Sequence, residues 1–297
     1  MCGEPYVDDG FNVSGDGQLK AYWWRSANGG CNFGDEITSI ILDRQFHIAH
    51  SISNVDEADL ISVGSILNKL VNNKAISSRN RKIHVVGSGL ISPYVKHASL
   101  FKRMKPMGRT FGKSVVIHSV RGYMTQQVLT SLGEKEYPVG DPGLMLPLIY
   151  DTDPDKTYRI GFIPHISTID SPEWENVCAR VGDSIIIDFR TDDLESIVTQ
   201  IKSCEIIVSQ SLHGLIIADA YGIPNCWFYD GPLHSGGKFK FYDYFSSVGR
   251  SFTLRFCSFN EINAADINRY ADKIDPNVIC SLQSDIVKSF EEALHQI

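Results

Sequence analysis

The chain has 297 residues, of which 43% are hydrophobic and 21% are charged, and its formal net charge is −7. An apolar share of this size can fill a large core, which excludes a disordered or collagen-like chain. The acidic balance and the lack of a long Lys/Arg run argue against nucleic acid as the main partner, so any bound anion has to be held by a few local cations.

Hydropathy and cysteine patterns indicate the compartment. No apolar stretch approaches the ~18 residues of a membrane span, and residues 1–18 lack the basic and apolar regions of a secretory signal. The seven cysteines are scattered and form no CxxC pair, which predicts reduced thiols and no metal site. We therefore expect a cytoplasmic protein with at most peripheral membrane contact.

Short apolar runs that end in small residues predict buried strands in the first half of the chain. The predicted strands are 19–25, 58–63, 82–86 and 114–120, and the predicted helices are 35–46 and 123–132. Apolar strands that lead into helices are typical of a parallel sheet covered on both faces. The segment 137–158 contains four prolines and is predicted to be an irregular linker.

A second series of the same kind follows the linker. Its predicted strands are 158–163, 184–189, 205–208 and 224–229, and its predicted helices are 173–181, 192–203, 215–221 and, at the end of the chain, 280–296. The sequence thus predicts an α/β protein with one domain over 1–150, a second over 151–275 and a C-terminal helix within 276–297. The expected ligand site is a cleft between the two domains.

The strongest candidate site is the turn after the predicted strand 205–208. Ligands of parallel sheets bind at the carboxyl ends of the strands, and Ser209-Gln210-Ser211-Leu212-His213 lies at such an end, where a helix begins. The free N–H groups of a helix N-terminus suit a phosphate or a carboxylate. His213 is a candidate general acid there. The alternative is a capping turn with a packed histidine.

Arg121 and Asp35 follow predicted strands of the first half. Arg121 comes directly after the strand 114–120, where a guanidinium suits bidentate contact with a carboxylate or a phosphate. The alternative for Arg121 is an ion pair with an acid such as Asp141. Asp35 follows Gly34 at the first strand–helix junction, and it either caps the helix or accepts a proton from an attacking hydroxyl.

The second half offers three more polar candidates. His165 follows the predicted strand 158–163 and is either a rim residue or a substrate contact. Lys238 and Lys240 follow a flexible glycine pair, and their cations either close over an anion or belong to a solvated loop. None of the glycine-rich turns has the spacing of a dinucleotide fingerprint or a P-loop.

Taken in order, five motifs resemble the polysaccharide pyruvyl transferase family over about residues 19–250. They are Asn32-Phe33-Gly34-Asp35, Val120-Arg121-Gly122, Val139-Gly140-Asp141-Pro142-Gly143, Ile163-Pro164-His165 and the run from Ser209 to Pro224. The resemblance implies two Rossmann-like domains with parallel sheets in a GT-B-like arrangement. It also implies transfer of the enolpyruvyl unit of phosphoenolpyruvate to a sugar of a polysaccharide or its precursor, with formation of a pyruvate ketal and release of phosphate.

The resemblance divides the candidates into donor and acceptor contacts. The family's Ser-Leu-His motif falls on residues 211–213, and its arginine falls on Arg121. Some relatives carry a basic residue where this chain has Gln210 or Ser211, so a lysine is expected to take over part of the donor phosphate. The expected donor-binding residues are Arg121, Ser209, Gln210, Ser211, Leu212, Lys238 and Lys240, and the expected acceptor-binding residues are Asn32 and Gly34.

The expected reaction needs an acid, a base and anion contacts, but no metal and no cofactor. His213 is predicted to protonate the methylene carbon of phosphoenolpyruvate, and Asp35 or His165 is predicted to assist the attacking hydroxyl. The acceptor is expected to be a saccharide or a lipid-linked oligosaccharide.

Two other functions stay open. The first is a GT-B glycosyltransferase that uses a nucleotide sugar. It needs a ribose-binding carboxylate in the second half, and Glu205 and Asp219 are poor candidates because both fall within regular elements. The second is a carbohydrate-binding protein without catalytic activity.

Overall fold

The computed structural model describes residues 18–26, 30–71, 73–77, 81–93, 111, 114–231, 236–252, 254 and 256–297. Most of the N-terminal segment that was inspected for a secretory signal lies outside these residues. Within them, no helix combines the length and the apolar character that crossing a membrane requires.

The first half forms a five-stranded parallel sheet. Its elements are β1 (Leu19–Tyr22), α1 (Phe33–Arg44), β2 (His50–Ile52), β3 (Leu60–Ile61), α2 (Leu67–Leu70), α3 (Lys74–Ser77), β4 (Ile83–Val85), β5 (Val115–Ile117) and α4 (Tyr123–Ser131). The strand order is β2-β1-β3-β4-β5, and every pairing is parallel. The parallel α/β unit predicted for this half is confirmed, with an additional edge strand, β2, that the sequence did not indicate.

Helix α1 shows why the first junction folds as it does. Its N-cap is Asn32, the acidic residues Asp35 and Glu36 occupy the first turn, and Arg44 occupies the last. This charge order complements the helix dipole, because acids are favoured at the N-terminus and bases at the C-terminus. The helix therefore begins at Phe33, earlier than predicted, and Asp35 lies inside the first turn instead of at the cap.

The segment predicted to be an irregular linker is a packed connection. Asp141 Oδ1 accepts a hydrogen bond from Gly143 N at 2.9 Å and starts a 3₁₀ turn over Pro142–Met145, which continues into α5 (Leu146–Ile149). Residues 139–146 are buried, so the prediction is wrong for this part. The prolines limit the length of each helical turn, but the apolar side chains between them still join the core.

The second half forms a four-stranded parallel sheet in the order β7-β6-β8-β9. Its elements are β6 (Tyr158–Ile163), α6 (Glu173–Val181), β7 (Ser184–Ile186), α7 (Leu194–Lys202), β8 (Cys204–Ser209), α8 (Leu212–Ala220) and β9 (Asn225–Trp227). The predicted parallel sheet is confirmed. Helix α8 begins at Leu212, so His213 belongs to its first turn.

Helix α9 (Phe239–Val248) occupies a segment that the sequence indicated only as a flexible loop with two lysines. Three of its aromatic side chains, Phe241, Tyr244 and Phe245, are buried at helical spacing. The loop interpretation is therefore wrong from Phe239 onward. Lys240 lies in the first turn of a packed helix, and its position is set by that packing.

The last two helices are α10 (Ala264–Tyr270) and α11 (Pro276–Leu294). Helix α11 packs on the first half of the chain. Gln283 Nε2 donates to Leu144 O at 2.8 Å, and the rings of Phe290 and Phe46 lie 5.4 Å apart. Helix α11 thus contacts both Phe46, just after α1, and the connection between the two sheets at Leu144.

Ile286 tests how much this docking contributes to stability. Its side chain is fully buried on α11, and a Cβ added at Gly140 would lie 2.8 Å from its Cδ1. We expect Ile286→Ala to lower the free energy of unfolding by about 2–5 kcal/mol, the usual range for truncating a buried isoleucine. Denaturant unfolding measures this, with the exposed Lys288→Ala on the same helix as control. Equal stability of the two variants would contradict tight docking of α11.

Candidate active site

Both sheets have a point at which the direction of the strand order reverses. In the first sheet it lies between β1 and β3, and in the second between β6 and β8. The crevice at the carboxyl ends of such strands is where open α/β sheets bind ligands. Asp35 follows β1, Gly64 follows β3, His165 follows β6 and the turn 209–213 follows β8.

Gly34 and His213 bring the two crevices together. A Cβ added at Gly34 would lie only 1.9 Å from His213 Nδ1, so the imidazole packs directly on the first turn of α1. Any side chain at position 34 would occupy the space of the ring. The N-terminal turns of α1 and α8 therefore touch, and each belongs to a different sheet.

Asp35 lies at this junction among polar neighbours. Its Oδ2 accepts a hydrogen bond from Asn32 Nδ2 at 2.8 Å, and a Cβ added at Gly64 would be 3.6 Å from its Oδ1. Burial raises the pKa of Asp35 to about 7, against the opposing effects of the Lys240 and Lys69 charges and of the Asn32 hydrogen bond. A carboxyl group with this pKa can both donate and accept a proton at neutral pH.

Lys240 brings the N-terminal turn of a third helix, α9, into the same cluster. Burial and the nearby Arg121 charge lower the pKa of its ammonium to about 8, while the Asp35 charge raises it. Lys240 in turn lowers the pKa of the histidines at 165 and 213. The four side chains thus share one electrostatic environment, as the sequence hypothesis of a common site requires.

The protonation state of His213 differs from the one its predicted role requires. Burial, followed by the Lys240 and Arg121 charges, lowers the pKa of the His213 ring to about 3. The ring is therefore neutral at pH 7. A neutral imidazole suits a proton acceptor, and general acid catalysis by His213 stays a prediction.

His165 is held by the turn that follows β8. Gln210 Oε1 accepts hydrogen bonds from His165 N at 3.1 Å and from Thr168 Oγ1 at 2.7 Å, and Gln210 Nε2 donates to Asp230 Oδ1 at 3.1 Å. Burial and the Lys240 charge lower the pKa of His165 to about 4. The buried Gln210 amide is thus committed to positioning the His165 loop, which leaves little of it for a donor phosphate.

The serines of the turn have different environments. The Ser209 hydroxyl is buried and accepts from Ser211 N at 3.0 Å while donating to Ser211 O at 2.8 Å. Ser211 occupies the N-cap position of α8, but its side chain makes no capping hydrogen bond. Leu212 is buried in the first turn. Of the predicted turn contacts, the geometry favours Ser211 and the N–H groups of α8 for an anion.

Arg121 is fully engaged by the protein. Its Nε donates to Asp243 Oδ2 at 3.0 Å, Nη1 to Ser65 Oγ at 2.7 Å and Nη2 to Leu90 O at 2.9 Å, and only 1% of the residue is exposed. These bonds favour the ion-pair alternative, with Asp243 as the acid. Asp141 is buried too, and although the Arg121 charge opposes it, burial raises the pKa of Asp141 to about 6.

Lys238 lies apart from the cluster's electrostatic contacts. Its ammonium is 5.0 Å from the centroid of the Tyr229 ring, in a cation–π arrangement at the start of α9. Both lysines predicted to bind the donor have an aromatic neighbour, since Lys240 Nζ lies 5.4 Å from the centroid of the Phe241 ring, but only Lys240 also shares electrostatic contacts with Asp35 and His213.

A separate cavity of about 360 Å³ is lined by other residues. They are Arg25, Glu36, Ser39, Ile40, Asp43, Arg44, His50, Asp192, Asp193, Leu194 and Glu195. Its five acids outnumber its two arginines, so the local charge disfavours a dianion. The cluster around Asp35 is better suited to an anionic donor.

Lys69 and Asp243 belong to the site but were not predicted from the sequence. Lys69 lies in α2, where its charge lowers the pKa of Asp35 and its Nζ donates to Tyr22 Oη at 2.7 Å. A usable signal existed for Lys69, since it follows the Gly64-Ser65 end of a predicted strand by one helical turn. No comparable signal marked Asp243, because its segment was interpreted as a loop.

The described residues also show how the metal-ligand types and the cysteines are arranged. It contains no group of three or more His, Cys, Asp or Glu side chains that could hold a metal ion. Five of the described cysteines are free, whereas Cys280 is disulfide-bonded, so the expectation of thiols throughout is wrong at that position.

Comparison with known proteins identifies the class to which this fold and site belong. A family model described as polysaccharide pyruvyl transferase matches residues 20–232. This range includes the N-termini of α1 and α8 but ends before α9. The chain belongs to the polysaccharide pyruvyl transferase family, as its motifs predicted.

Two relatives have similar overall sequences. An uncharacterized protein of Acanthamoeba polyphaga mimivirus is 30% identical over 226 residues, which is 71% of this chain and 72% of that protein. The succinoglycan biosynthesis protein ExoV of Rhizobium meliloti is 30% identical over 241 residues, which is 80% of this chain and 67% of that protein.

Solved structures show only distant likeness. A functionally uncharacterized protein from Klebsiella pneumoniae has a TM-score of 0.41 at 12% identity, covering 77% of this chain and 87% of its own. A putative UDP-N-acetylglucosamine 2-epimerase from Listeria monocytogenes has a TM-score of 0.42 at 8% identity, covering 94% and 90%.

The contact between Gly34 and His213 gives a direct test of the site. A methyl group at position 34 would displace the imidazole, so we expect Gly34→Ala to lower the turnover number on the order of 10²-fold, as misplacement of a reacting group by about 1 Å does. The exposed Asp43→Ala, on the same helix, serves as control. Circular dichroism verifies folding, and turnover equal to that of the control would remove the contact from catalysis.

Proposed function

We propose that this chain transfers a pyruvyl group from phosphoenolpyruvate to a sugar of a polysaccharide or of its lipid-linked precursor, forming a pyruvate ketal and releasing phosphate. Family membership supports pyruvyl transfer in polysaccharide biosynthesis, and the name of the Rhizobium relative assigns that protein to succinoglycan biosynthesis. The observation that carries the proposal is the meeting of Asp35, His213 and Lys240 from the first turns of three helices.

The overall arrangement that we infer is GT-B-like. Two Rossmann-like domains, over 1–150 and 151–275, hold the donor between the carboxyl edges of their sheets, and a C-terminal helix within 276–297 packs back on the first domain. The contact of Gly34 with His213 and the ion pair of Arg121 with Asp243 support this arrangement, since each joins the two halves.

The donor carries a phosphate and a carboxylate close together, so its site needs more than one cationic contact. Lys240 and Lys69 supply two positive charges near Asp35, since both lower the pKa of its carboxyl. The N-terminal turn of α8 adds backbone N–H groups, and α1 and α8 both add the positive end of a helix dipole. Lys69 and Lys240 thus take the role that the sequence analysis gave to Arg121.

Proton transfer divides between a carboxyl group with a pKa near neutrality and a histidine whose pKa lies well below it. Asp35, with a pKa of about 7, donates its proton to the methylene carbon of the donor. The neighbouring carbon becomes electron-poor as the double bond is used. His213 or His165, both neutral at pH 7, accepts the proton of the first sugar hydroxyl as its oxygen attacks that carbon.

The second half of the reaction closes the ketal. Phosphate leaves with the electron pair of its C–O bond, and the second sugar hydroxyl attacks the same carbon and gives up its proton. One proton is thus gained by the methylene carbon, two are lost by the hydroxyls, and the remaining proton leaves with phosphate at neutral pH. Asn32 and Gly34 lie beside Asp35 and His213, which supports their proposed place on the acceptor side.

A glycosyltransferase is less well supported by the second half. The buried carboxylate of Asp219 accepts hydrogen bonds from Asn225, Tyr244 and Arg250, at 2.7, 2.8 and 2.6 Å. It is therefore committed inside the core and not presented to a ribose. Glu205 is exposed on β8 and makes the weaker alternative.

Substrate consumption separates the proposed reaction from its alternatives. We expect phosphate release when the protein meets phosphoenolpyruvate together with a β-linked galactoside or mannoside, and a matching gain in product mass. Parallel samples contain a panel of nucleotide sugars in place of phosphoenolpyruvate. Consumption of a nucleotide sugar alone would overturn the proposal, and saccharide binding without turnover of either donor would favour the carbohydrate-binding protein.

The pH dependence tests the proton assignment. The acid must be protonated, so kcat/KM should fall as pH rises through the Asp35 pKa of about 7, and further as Lys240 loses its charge near 8. Below pH 7 activity should hold until the histidines, with pKa values of about 3 to 4, become protonated. Asp35→Asn should lower kcat about 10²–10⁴-fold and remove the limb near 7. A rise in activity between pH 6 and 8 would reverse the assignment.

A further inference from the structure

The Arg121–Asp243 pair is the most deeply buried ion pair described between the two halves. Arg121 Nη2 and Nε lie 2.9 and 3.0 Å from Asp243 Oδ2, and the two side chains are 1% and 0% exposed. A Cβ added at Gly89 would lie 2.4 Å from Arg121 Cζ, so the guanidinium is closely packed on the backbone of the first half. Buried charges in such a place are strongly destabilised when either partner is lost.

Asp243 also caps a helix of the other half. The N-cap of α4 is Gly122, which has no side chain to satisfy the first N–H groups. Instead, Asp243 Oδ1 accepts from Thr125 N at 2.7 Å, and Ser246 Oγ accepts from Tyr123 N at 3.0 Å. A Cβ added at Gly122 would lie 1.9 Å from Asp243 O, so glycine is needed for this approach. Residues of α9 thus perform the capping that α4 cannot perform for itself.

The same helix carries Lys240. Asp243 follows Lys240 by three positions, so the two side chains leave α9 on neighbouring parts of its surface. The Asp243 contacts fix the rotation and the axial position of the N-terminal part of α9. Lys240 therefore stands beside Asp35 and Arg121 because the capping contact one turn further along holds α9 against α4.

We propose that Arg121 and Asp243 are positioning residues, which place the Lys240 ammonium in the active site by docking α9 on the N-terminus of α4. Thr125 completes the device, since its Oγ1 donates to Asp243 Oδ2 at 2.7 Å and accepts from Leu90 N at 3.1 Å. The catalytic consequence rests on the proposed function, but the placement of Lys240 does not, and the two are measured separately.

The placement of Lys240 is measured by its reactivity. The full-length protein is labelled with acetic anhydride over a range of pH, and acetylation of Lys240 is quantified by mass spectrometry. In the wild type we expect a midpoint near the pKa of about 8 that burial and Arg121 give this group. In Asp243→Asn and in Arg121→Lys the midpoint should move toward the value of an ordinary lysine. An unmoved midpoint in folded variants would overturn the proposal.

The catalytic consequence is measured with the proposed donor. We expect Asp243→Asn and Arg121→Lys each to lower kcat/KM for phosphoenolpyruvate on the order of 10²-fold, the usual loss from misplacing a contact group, with the double variant no worse than the poorer single variant. If Arg121→Lys alone raised KM while Asp243→Asn left it unchanged, Arg121 would be a direct donor ligand and the positioning role would fail.

Two further variants control for misfolding and for a general effect of replacing an arginine by a lysine. Thr125→Val removes one hydroxyl and leaves the ion pair, so it should fold and shift the Lys240 midpoint in the same direction by a smaller amount. Arg190→Lys makes the matched substitution at an exposed ion pair with Asp188 and should leave midpoint and activity at wild-type values. If wild-type protein turns over no phosphoenolpyruvate yet the midpoints move as expected, the proposed function fails and the positioning role stands.

Discussion

The absence of one methyl group at position 34 determines how the two halves of the molecule meet. Because Gly34 has no Cβ, the His213 ring can lie on the first turn of α1. The crevices at which the strand orders of the two parallel sheets reverse therefore come into contact. Each sheet alone would offer an ordinary crevice at its carboxyl edge. Their contact combines a carboxyl group from one sheet with an imidazole from the other, which neither half possesses by itself.

Shared burial then gives these groups different protonation states. Burial disfavours every charge, so it raises the pKa of Asp35 and lowers those of His213 and Lys240. The attraction between Asp35 and Lys240 opposes the effect of burial on both groups, whereas at His213 the Lys240 and Arg121 charges add to the effect of burial. A partly protonated carboxyl group beside a neutral imidazole at pH 7 is thus a consequence of packing, and the types of residue alone do not specify it.

Much of this organisation could be predicted from local patterns in the sequence. Apolar runs that end in Gly or Ser marked most of the strands, and the ordered motifs from Asn32 to His213 indicated the family. These local patterns predicted less where a segment is stabilised by contacts with residues distant in the chain. The edge strand β2 has little apolar character, and α9 combines a lysine with aromatic residues whose burial becomes evident only when the second sheet is in place.

Arg121 illustrates most clearly why a motif residue cannot be given its role from sequence alone. An arginine after a buried strand suits an anion, and the same geometry suits any carboxylate that the fold brings near. Asp243 lies 122 positions later in the chain, and only the docking of α9 on α4 places it there. Once that acid is buried beside the guanidinium, an external anion would have to compete with its ion pair to Arg121, and three hydrogen bonds from Arg121 and Thr125 hold the acid in place. The cost of leaving a buried carboxylate unpaired makes the internal partner the stronger competitor, which is why the proposed contacts to the donor are assigned to Lys240 and Lys69 and not to Arg121.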